Sequence, residues 1–220
     1  DERSGVEAAP HVTQVDRAIV YRRLQADMCN TICLPFAITD KSKTPYANAT
    51  FYEFTALTQG NDQVELQFNE VQQLEAGKPY LIQPNEDIVD TVRFRHHGTF
   101  VDFVHEAKEL SWTINDTKIT YHGVLAPTTI PKGTLMLVAN NRLAKASQEG
   151  QMQGLRGYFT VEGTMPSKAV LSFKQGTTTD DKTVVTPLPS TEVRKVLQDQ
   201  QVFIIKDNEA YNILGEAVAL

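Results

Sequence analysis

The sequence predicts an all-β protein: a β-sandwich or open barrel-like body of many short antiparallel strands, followed by a C-terminal β-hairpin. Two observations predict this fold class. Short segments of alternating apolar and polar residues recur along the 220-residue chain, and Gly, Pro, Asn and Asp residues separate them. Amphipathic helical periodicity is hard to find. A sandwich and an open barrel share this pattern, so the sequence leaves both open.

The clearest strand is predicted where Val64, Leu66 and Phe68 alternate with polar residues, as on a strand with one buried face. Similar patterns extend through the rest of the body. The predicted strands cover residues 17–24, 31–38, 49–57, 63–68, 79–83, 91–95, 99–104, 109–114, 118–125, 134–139, 155–161 and 169–173.

Turn residues separate several of these strands. Asn115 and Asp116 suit a tight hairpin connection, and Asn140 and Asn141 have side chains that tolerate a positive φ. In the strand after Gly77, alternation places Tyr80 and Ile82 on one face and Leu81 on the other.

Composition predicts four regions. Residues 1–15 are a flexible N-terminal segment, 16–174 the main β-domain, 175–190 a linker and 191–220 the C-terminal β-hairpin. The linker is polar and proline-flanked, so it buries too little apolar surface to offset its ordering entropy. The hairpin strands are predicted at 202–206 and 210–213. Because an isolated hairpin is marginal in water, we expect it to dock on its own body, a missing domain or a neighbouring chain, which would be self-association.

Charge and hydropathy exclude some partners. The net charge is −6 and the basic side chains are scattered, so we expect no nucleic-acid partner. No apolar run approaches the roughly 20 residues that a transmembrane helix needs. Residues 1–10 have neither a basic start nor an apolar stretch, so we expect any export signal to have been removed.

Cys29 and Cys33 allow three interpretations. Free buried thiols are favoured, because residues four apart on a strand are separated by about 13 Å, far more than a disulfide spans. A bulge or turn would permit a local disulfide. A metal site would need two further ligands, and none lies nearby at a suitable spacing.

No catalytic residue and no cofactor are expected. The chain has no nucleophile elbow, zinc-protease helix, dinucleotide-binding loop or phosphate-binding loop. A pair of carboxylates for glycoside hydrolysis stays possible in principle, because their distance in space, not in sequence, defines them.

Two groups of side chains are candidates for binding a metal ion. Asn85, Asp87 and Asp90 cluster oxygen ligands in a loop and are weak calcium candidates, without the glycine and terminal glutamate of an EF-hand. His97, His105 and His122 would need to meet across strands, and adjacent His96 points away from His97. The favoured interpretation of both groups is an ordinary polar surface.

Aromatic residues are candidates for ligand binding. Tyr46 and Tyr52 lie near a polar segment and are expected to be exposed. Trp112 alternates with Ser111 and Thr113, so its favoured interpretation is a core residue, with a binding platform as the alternative.

Five segments carry a resemblance to a known family: NTICLPF (30–36), EAGKPYLIQP (75–84), YHGVLAPTTIPKGTLMLVANNRL (121–143), GLRGYF (154–159) and YNILGEAV (211–218). They resemble segments of extracellular β-rich modules of Bacteroidetes-type bacteria, which include adhesin-like surface proteins. The sequence differs from that pattern at Cys29, where tryptophan is expected, and at Glu216, where glutamine is expected.

This resemblance implies an all-β fold and export to the periplasm, cell surface or exterior, but no enzymatic activity and no particular ligand. We therefore expect a non-catalytic surface module for adhesion, scaffolding or capture of an unknown glycan or extracellular protein. One alternative is a carbohydrate-active enzyme or its accessory subunit. Another is a structural unit that assembles through its C-terminal hairpin.

Overall fold

The computed structural model describes residues 3, 14–15, 17–60, 63–88, 91–95, 101–164, 168–174, 182–184, 194–198, 201–206, 209–211 and 217–218. These residues form an all-β protein with a sandwich-like body, which confirms the predicted fold class. Two short 3-10 helices lie at Lys41–Lys43 and Ala139–Asn141. The strands are β1 (Gln14–Val15), β2 (Arg17–Tyr21), β3 (Asn30–Cys33), β4 (Ala49–Gly60), β5 (Gln63–Val71), β6 (Pro79–Pro84), β7 (Thr91–Arg95), β8 (Val101–Asp102), β9 (Glu109–Ile114), β10 (Thr117–Val124), β11 (Thr128–Ile130), β12 (Leu135–Val138), β13 (Arg142–Lys145), β14 (Gly150–Met152), β15 (Arg156–Glu162), β16 (Lys168–Lys174), β17 (Lys182–Val184), β18 (Arg194–Gln198), β19 (Gln201–Lys206), β20 (Glu209–Tyr211) and β21 (Ala217–Val218).

One layer of the body is a six-stranded sheet in the order β17-β16-β5-β4-β6-β3. Its neighbours are antiparallel except for β5 and β16, which pair in parallel with Val64 opposite Ala169. This pair departs from the predicted antiparallel arrangement. A parallel pair needs a long connection between its two strands. Here the connection between β5 and β16 contains β9, β10, β12, β13 and β15, which together form the second sheet of the body.

The other layer is a five-stranded sheet in the order β13-β12-β15-β10-β9. Strands β9 and β10 form the predicted hairpin, with Ile114 opposite Thr117 and Asn115 at a φ of 52°. Asn141 also has a positive φ, 55°, between β12 and β13. Both turns confirm the role that the sequence assigned to these asparagines.

An aromatic core fills the space between the two sheets. Phe54 and Phe68 come from the six-stranded sheet, and Tyr121 and Phe159 come from the five-stranded sheet; all four are at most 1% exposed. The rings of Tyr121 and Phe159 stack with centroids 4.2 Å apart, and Phe54 meets both edge-on. Aromatic side chains bury large apolar areas, so this cluster dominates the adhesion between the layers.

A second core covers the opposite face of the six-stranded sheet. Phe51, Tyr80 and Ile82 belong to it, whereas Tyr52 and Leu81 belong to the core between the sheets. The predicted alternation in β6 is therefore correct. Both faces of β6 are buried, which explains why it is a continuous apolar run.

At one corner the two sheets approach very closely. Cys33 N donates to Leu155 O at 3.3 Å, and Gly157 N donates to Thr31 Oγ1 at 3.1 Å. Gly157 lies opposite Gly123 on the inner face of the five-stranded sheet. Two facing glycines remove the side chains that would otherwise hold β3 away from this sheet.

The remaining described strands form smaller sheets: β1 with β8, β2 with β7, β11 with β14, and β18-β19-β20-β21. Strands β19 and β20 confirm the predicted C-terminal hairpin, which is part of a four-stranded sheet. Strand β1 lies within the segment predicted to be flexible, and β17 lies within the predicted linker. The bounds of the four regions stay predictions.

Cys29 and Cys33 are both buried free thiols, as the favoured interpretation predicts. Cys33 Sγ donates to Gly77 O at 3.2 Å. Burial raises the pKa of each thiol from 9.0 to about 12, because the thiolate is poorly solvated inside the protein.

Replacing Gly157 by alanine should destabilise the protein. A Cβ atom there would lie 2.6 Å from Tyr121 Cε2 and 2.8 Å from His122 O, and neither atom can move freely. We expect Gly157→Ala to lower the free energy of unfolding by roughly 1–3 kcal/mol in urea denaturation. Gly150→Ala is the matched control, because nothing lies within 4 Å of its Cβ position. Equal stabilities of the two variants would contradict the close packing at this corner.

The buried thiols should make stability fall in alkaline solution. The folded state holds the thiol protons more tightly than the unfolded state, so this contribution is complete below pH 9 and is lost as the pH rises towards about 12. Urea denaturation between pH 8 and about 11 measures it. A Cys29→Ala/Cys33→Ala variant should lose less stability over this range than the wild type.

At pH 8 a thiol reagent should label both cysteines only after unfolding; rapid labelling of the native protein would refute the burial.

Candidate functional site

The five-stranded sheet presents a polar surface on the side away from the core, which we call the outer face. Alternation defines it: Ile119, Tyr121 and Phe159 point into the core, so their neighbours along each strand point away from it. The outer face consists of Glu109 and Ser111 on β9, Lys118, Thr120 and His122 on β10, and Tyr158, Thr160 and Glu162 on β15.

His122 is the centre of a hydrogen-bonded chain across three strands. Its Nδ1 lies 2.7 Å from Glu109 Oε1, and its Nε2 lies 2.7 Å from Thr160 Oγ1. The imidazole stacks on the ring of Tyr158, with centroids 4.8 Å apart and planes 16° from parallel. The chain therefore holds an imidazole, a phenol ring and a hydroxyl in fixed positions on one surface.

Two further cross-strand contacts order the same face. Ser111 Oγ lies 2.8 Å from Thr120 Oγ1, and Lys118 Nζ lies 3.0 Å from Glu162 Oε1. A side chain that already has a partner loses less entropy when a ligand binds. Thr120 is only 4% exposed, so its hydroxyl positions that of Ser111. The outer face thus offers hydroxyl, carboxylate and ammonium groups whose positions are partly fixed.

The order carboxylate, imidazole, hydroxyl is also that of a hydrolase triad. A triad needs hydrogen-bond donors aimed at the oxyanion that develops next to the nucleophile. Thr160 lies inside β15, where residues 156–162 all pair with β10. The carboxylate, imidazole and hydroxyl hold one another in place across three strands, and this arrangement can orient them for ligand binding.

A cavity of about 310 Å³ opens beside Thr160. Strand β12 pairs with β15 only where Leu135 lies opposite Phe159. The residues of β15 beyond Phe159 are not paired with β12, and the cavity lies beside them. Its lining includes the polar residues Lys132, Thr134, Lys145 and Thr160 and the apolar residues Leu135 and Val161. The outer face thus leads into a recess of small-molecule size.

A second group of charges lies around Lys78 and has a structural explanation. Lys78 Nζ lies 2.8 Å from Glu53 Oε1 and 3.0 Å from Glu75 Oε1, and Glu75 also binds Lys108 at 3.0 Å. Burial opposes the charge of Lys78, but its hydrogen bonds to the two glutamates hold its pKa above the usual value. Hydrogen bonds from Lys108 and Lys78 lower the pKa of Glu75. All these charges are compensated within the cluster.

The prediction that Tyr46 and Tyr52 are exposed is wrong. They are 0% and 4% exposed. The turn after the first 3-10 helix folds back, with Ala49 N donating to Tyr46 O at 2.9 Å, and this places the Tyr46 ring edge-on to Phe51. Tyr52 packs against Phe173 between the sheets, with centroids 4.8 Å apart. A polar neighbouring segment did not indicate the direction of either side chain.

The core interpretation of Trp112 is also wrong, since this residue is 42% exposed. Alternation correctly puts it on the inner side of β9, opposite Ile119. However, β9 is the edge strand of its sheet, so the six-stranded layer covers the indole only in part, with Trp112 Nε1 donating to Phe54 O at 3.4 Å.

The metal candidates are not brought together. Asn85 and Asp87 are exposed, and Asp87 Oδ1 accepts a hydrogen bond from Ala26 N at 2.7 Å; Asp90 lies outside the described residues. His96 and His97 also lie outside them. Among the residues that the structure describes, no three His, Cys, Asp or Glu side chains could hold a metal ion. The same part of the chain contains no helix of the length and apolarity that crossing a membrane requires.

Sequence reasoning missed the site on the outer face. The sequence indicates His122 only as a metal ligand. It gives no sign of a binding role for four other residues: Thr160, Thr134, Lys132 and Lys145. Alternation within β9 and β10 could have placed Glu109 and His122 on one face. No local signal identified Thr160, because its contact with His122 depends on the pairing of β10 with β15.

No family model, no curated protein and no solved structure matches this chain.

The partial exposure of Trp112 predicts the fluorescence of the protein, because Trp112 is its one tryptophan. Acrylamide should quench the native emission measurably, to a lesser extent than the emission of the urea-unfolded chain. Quenching titrations of both states provide the comparison. A native emission that acrylamide leaves unchanged would place the indole in the core after all.

Proposed function

We propose that this chain is a non-catalytic extracellular surface module that captures a glycan on the outer face of its five-stranded sheet. The observation that carries the proposal is the stacked pair of His122 and Tyr158, flanked by the hydroxyls of Ser111 and Thr160. A sugar ring combines an apolar face with a rim of hydroxyl groups. The outer face offers complementary groups for both, a ring surface and paired donors and acceptors.

Charge supports a glycan over a nucleic acid. The net charge of the chain is −6, whereas proteins that bind a phosphate backbone concentrate positive charge on one surface. On the outer face, Lys118 is compensated by Glu162 and His122 contacts Glu109. Such a balanced surface suits a hydroxyl-rich ligand.

The contacts of the acidic residues support binding without catalysis. Glycoside hydrolysis needs one carboxylic acid as proton donor and one carboxylate as nucleophile or base. Glu109 and Glu162, the carboxylates of the outer face, are held by His122 and Lys118. A carbohydrate-active enzyme or accessory subunit is the alternative, and sugar release from a bound glycan would favour it.

The location and the role in adhesion rest on the resemblance of five segments to Bacteroidetes-type surface modules. Export to the periplasm, cell surface or exterior would bring the outer face into contact with glycans of the surroundings. Detection of the protein on intact cells by surface labelling tests the location separately from binding.

A glycan array probed with the full chain tests the proposed binding. We expect selective binding, and we expect Tyr158→Ala to weaken it at least tenfold, since the variant removes the ring that supports His122. Tyr21→Ala is the matched control, because Tyr21 is 51% exposed on β2, in a different sheet.

The array has two outcomes that contradict the proposal. One is the absence of binding to any glycan. The other is a bound glycan that Tyr158→Ala retains and Trp112→Ala loses, since that would move the site from the outer face to the sheet edge at β9.

A further inference from the structure

We propose that the cavity between β12 and β15 binds the carboxylate of an acidic sugar, such as a uronic acid residue of a bound glycan. This inference rests on the proposed function in taking the ligand to be a sugar. It adds a subsite and a chemical class, an anionic group on a compact polar ring.

Positive charge is the first reason. Lys132 and Lys145 both line the cavity, and its described lining contains no carboxylate. Among the ion pairs of the described residues, neither lysine has an acidic partner. Two ammonium groups near one recess repel each other, and an anion between them would remove that repulsion.

The frame that carries these lysines is rigid. Lys132 lies in a turn that is bonded to the end of β13 by Gly133 N to Ala146 O at 2.9 Å and Ala146 N to Thr134 O at 2.8 Å. The stem of Lys145 passes over Gly133: a Cβ atom on that glycine would lie 3.7 Å from Lys145 Cε. The backbone segments that carry the two lysines are therefore fixed relative to each other.

An unsatisfied hydroxyl is the second, independent reason. Thr134 lines the cavity and is 2% exposed, and its Oγ1 has no hydrogen-bond partner. A buried polar atom without a partner is costly, and sites that bind polar ligands accept this cost. The Oγ1 atom is itself buried, so the Thr134 side chain must shift slightly for a carboxylate oxygen in the cavity to accept its hydrogen bond.

Size and lining favour a sugar acid over a larger ligand. A volume of about 310 Å³ is at the small end of ligand sites, which span roughly 300–1,000 Å³. The lining also includes the apolar residues Leu135 and Val161. Thr160 joins this cavity to His122 on the outer face through the 2.7 Å contact of its Oγ1, so one ligand can reach both.

Amide chemical shifts of the full chain test this inference. Potassium glucuronate should cause saturable shifts at residues 132–135 and 160–163, and glucose or potassium chloride at equal concentration should not. We expect the Lys132→Gln/Lys145→Gln variant to weaken glucuronate binding at least tenfold and Thr134→Val to weaken it several-fold. Lys168→Gln is the control, because Lys168 is exposed on β16 in the other sheet.

A second arm with sulfate and phosphate defines the anion. Selective shifts with glucuronate support a carboxylate site, and equal shifts with sulfate or phosphate at the same amides overturn the assignment to a sugar acid. The absence of saturable shifts, or shifts that the double lysine variant retains, also overturns it. A neutral glycan that binds wild type and double variant equally would leave the proposed function intact and refute only the subsite.

Discussion

The contact between the two sheets at the Gly123–Gly157 pair is the constraint on which the rest of the structure depends. A Cβ atom on Gly123 would lie 2.7 Å from Cys33 Sγ, so a larger residue would push β3 away from the five-stranded sheet. With glycine there, Tyr121 Oη reaches across the layers and donates to Tyr80 O at 2.7 Å. These contacts decide which faces of β10 and β15 are inner. Because side chains alternate along a strand, they decide the composition of the outer face at the same time.

The same corner stores backbone strain. Leu155 has a φ of 58°, a conformation that costs an L-residue with a Cβ roughly 1–2 kcal/mol. Its side chain is 3% exposed, and its carbonyl oxygen accepts hydrogen bonds from Arg22 Nη1 at 2.5 Å and from Cys33 N at 3.3 Å. Burial and the two bonds compensate the strain. They also fix the point at which β15 begins, and therefore the register that places Tyr158 beside His122.

Local patterns predicted much of the fold but little of the site. Alternation located β5, β9 and β10 and assigned the faces of Tyr80, Leu81 and Ile82. It could do so because successive side chains of a strand point to opposite faces, whichever layer packs against each face. Asparagine marked two turns because it tolerates a positive φ. The parallel pair of β5 with β16 was not predictable, since no local pattern states which distant strand lies alongside. Trp112 shows the same limit: its face followed from alternation, whereas its exposure followed from the edge position of β9.

The functional groups depend on strand pairing even more directly. Thr160 lies opposite Thr120, one diagonal step from His122, and residues 125–155 separate β10 from β15 in sequence. The cavity arises where the pairing of β12 with β15 stops after one residue pair. No sequence pattern predicts where such a pairing stops. Once one pair is known, however, the rest follows. With Tyr121 opposite Phe159 in the core, His122 must lie opposite Tyr158 on the outer face, and Thr160 must come within reach of its imidazole. The composition of the outer face therefore depends on the register between β10 and β15, and the packing of Tyr121 and Phe159 in the core fixes that register.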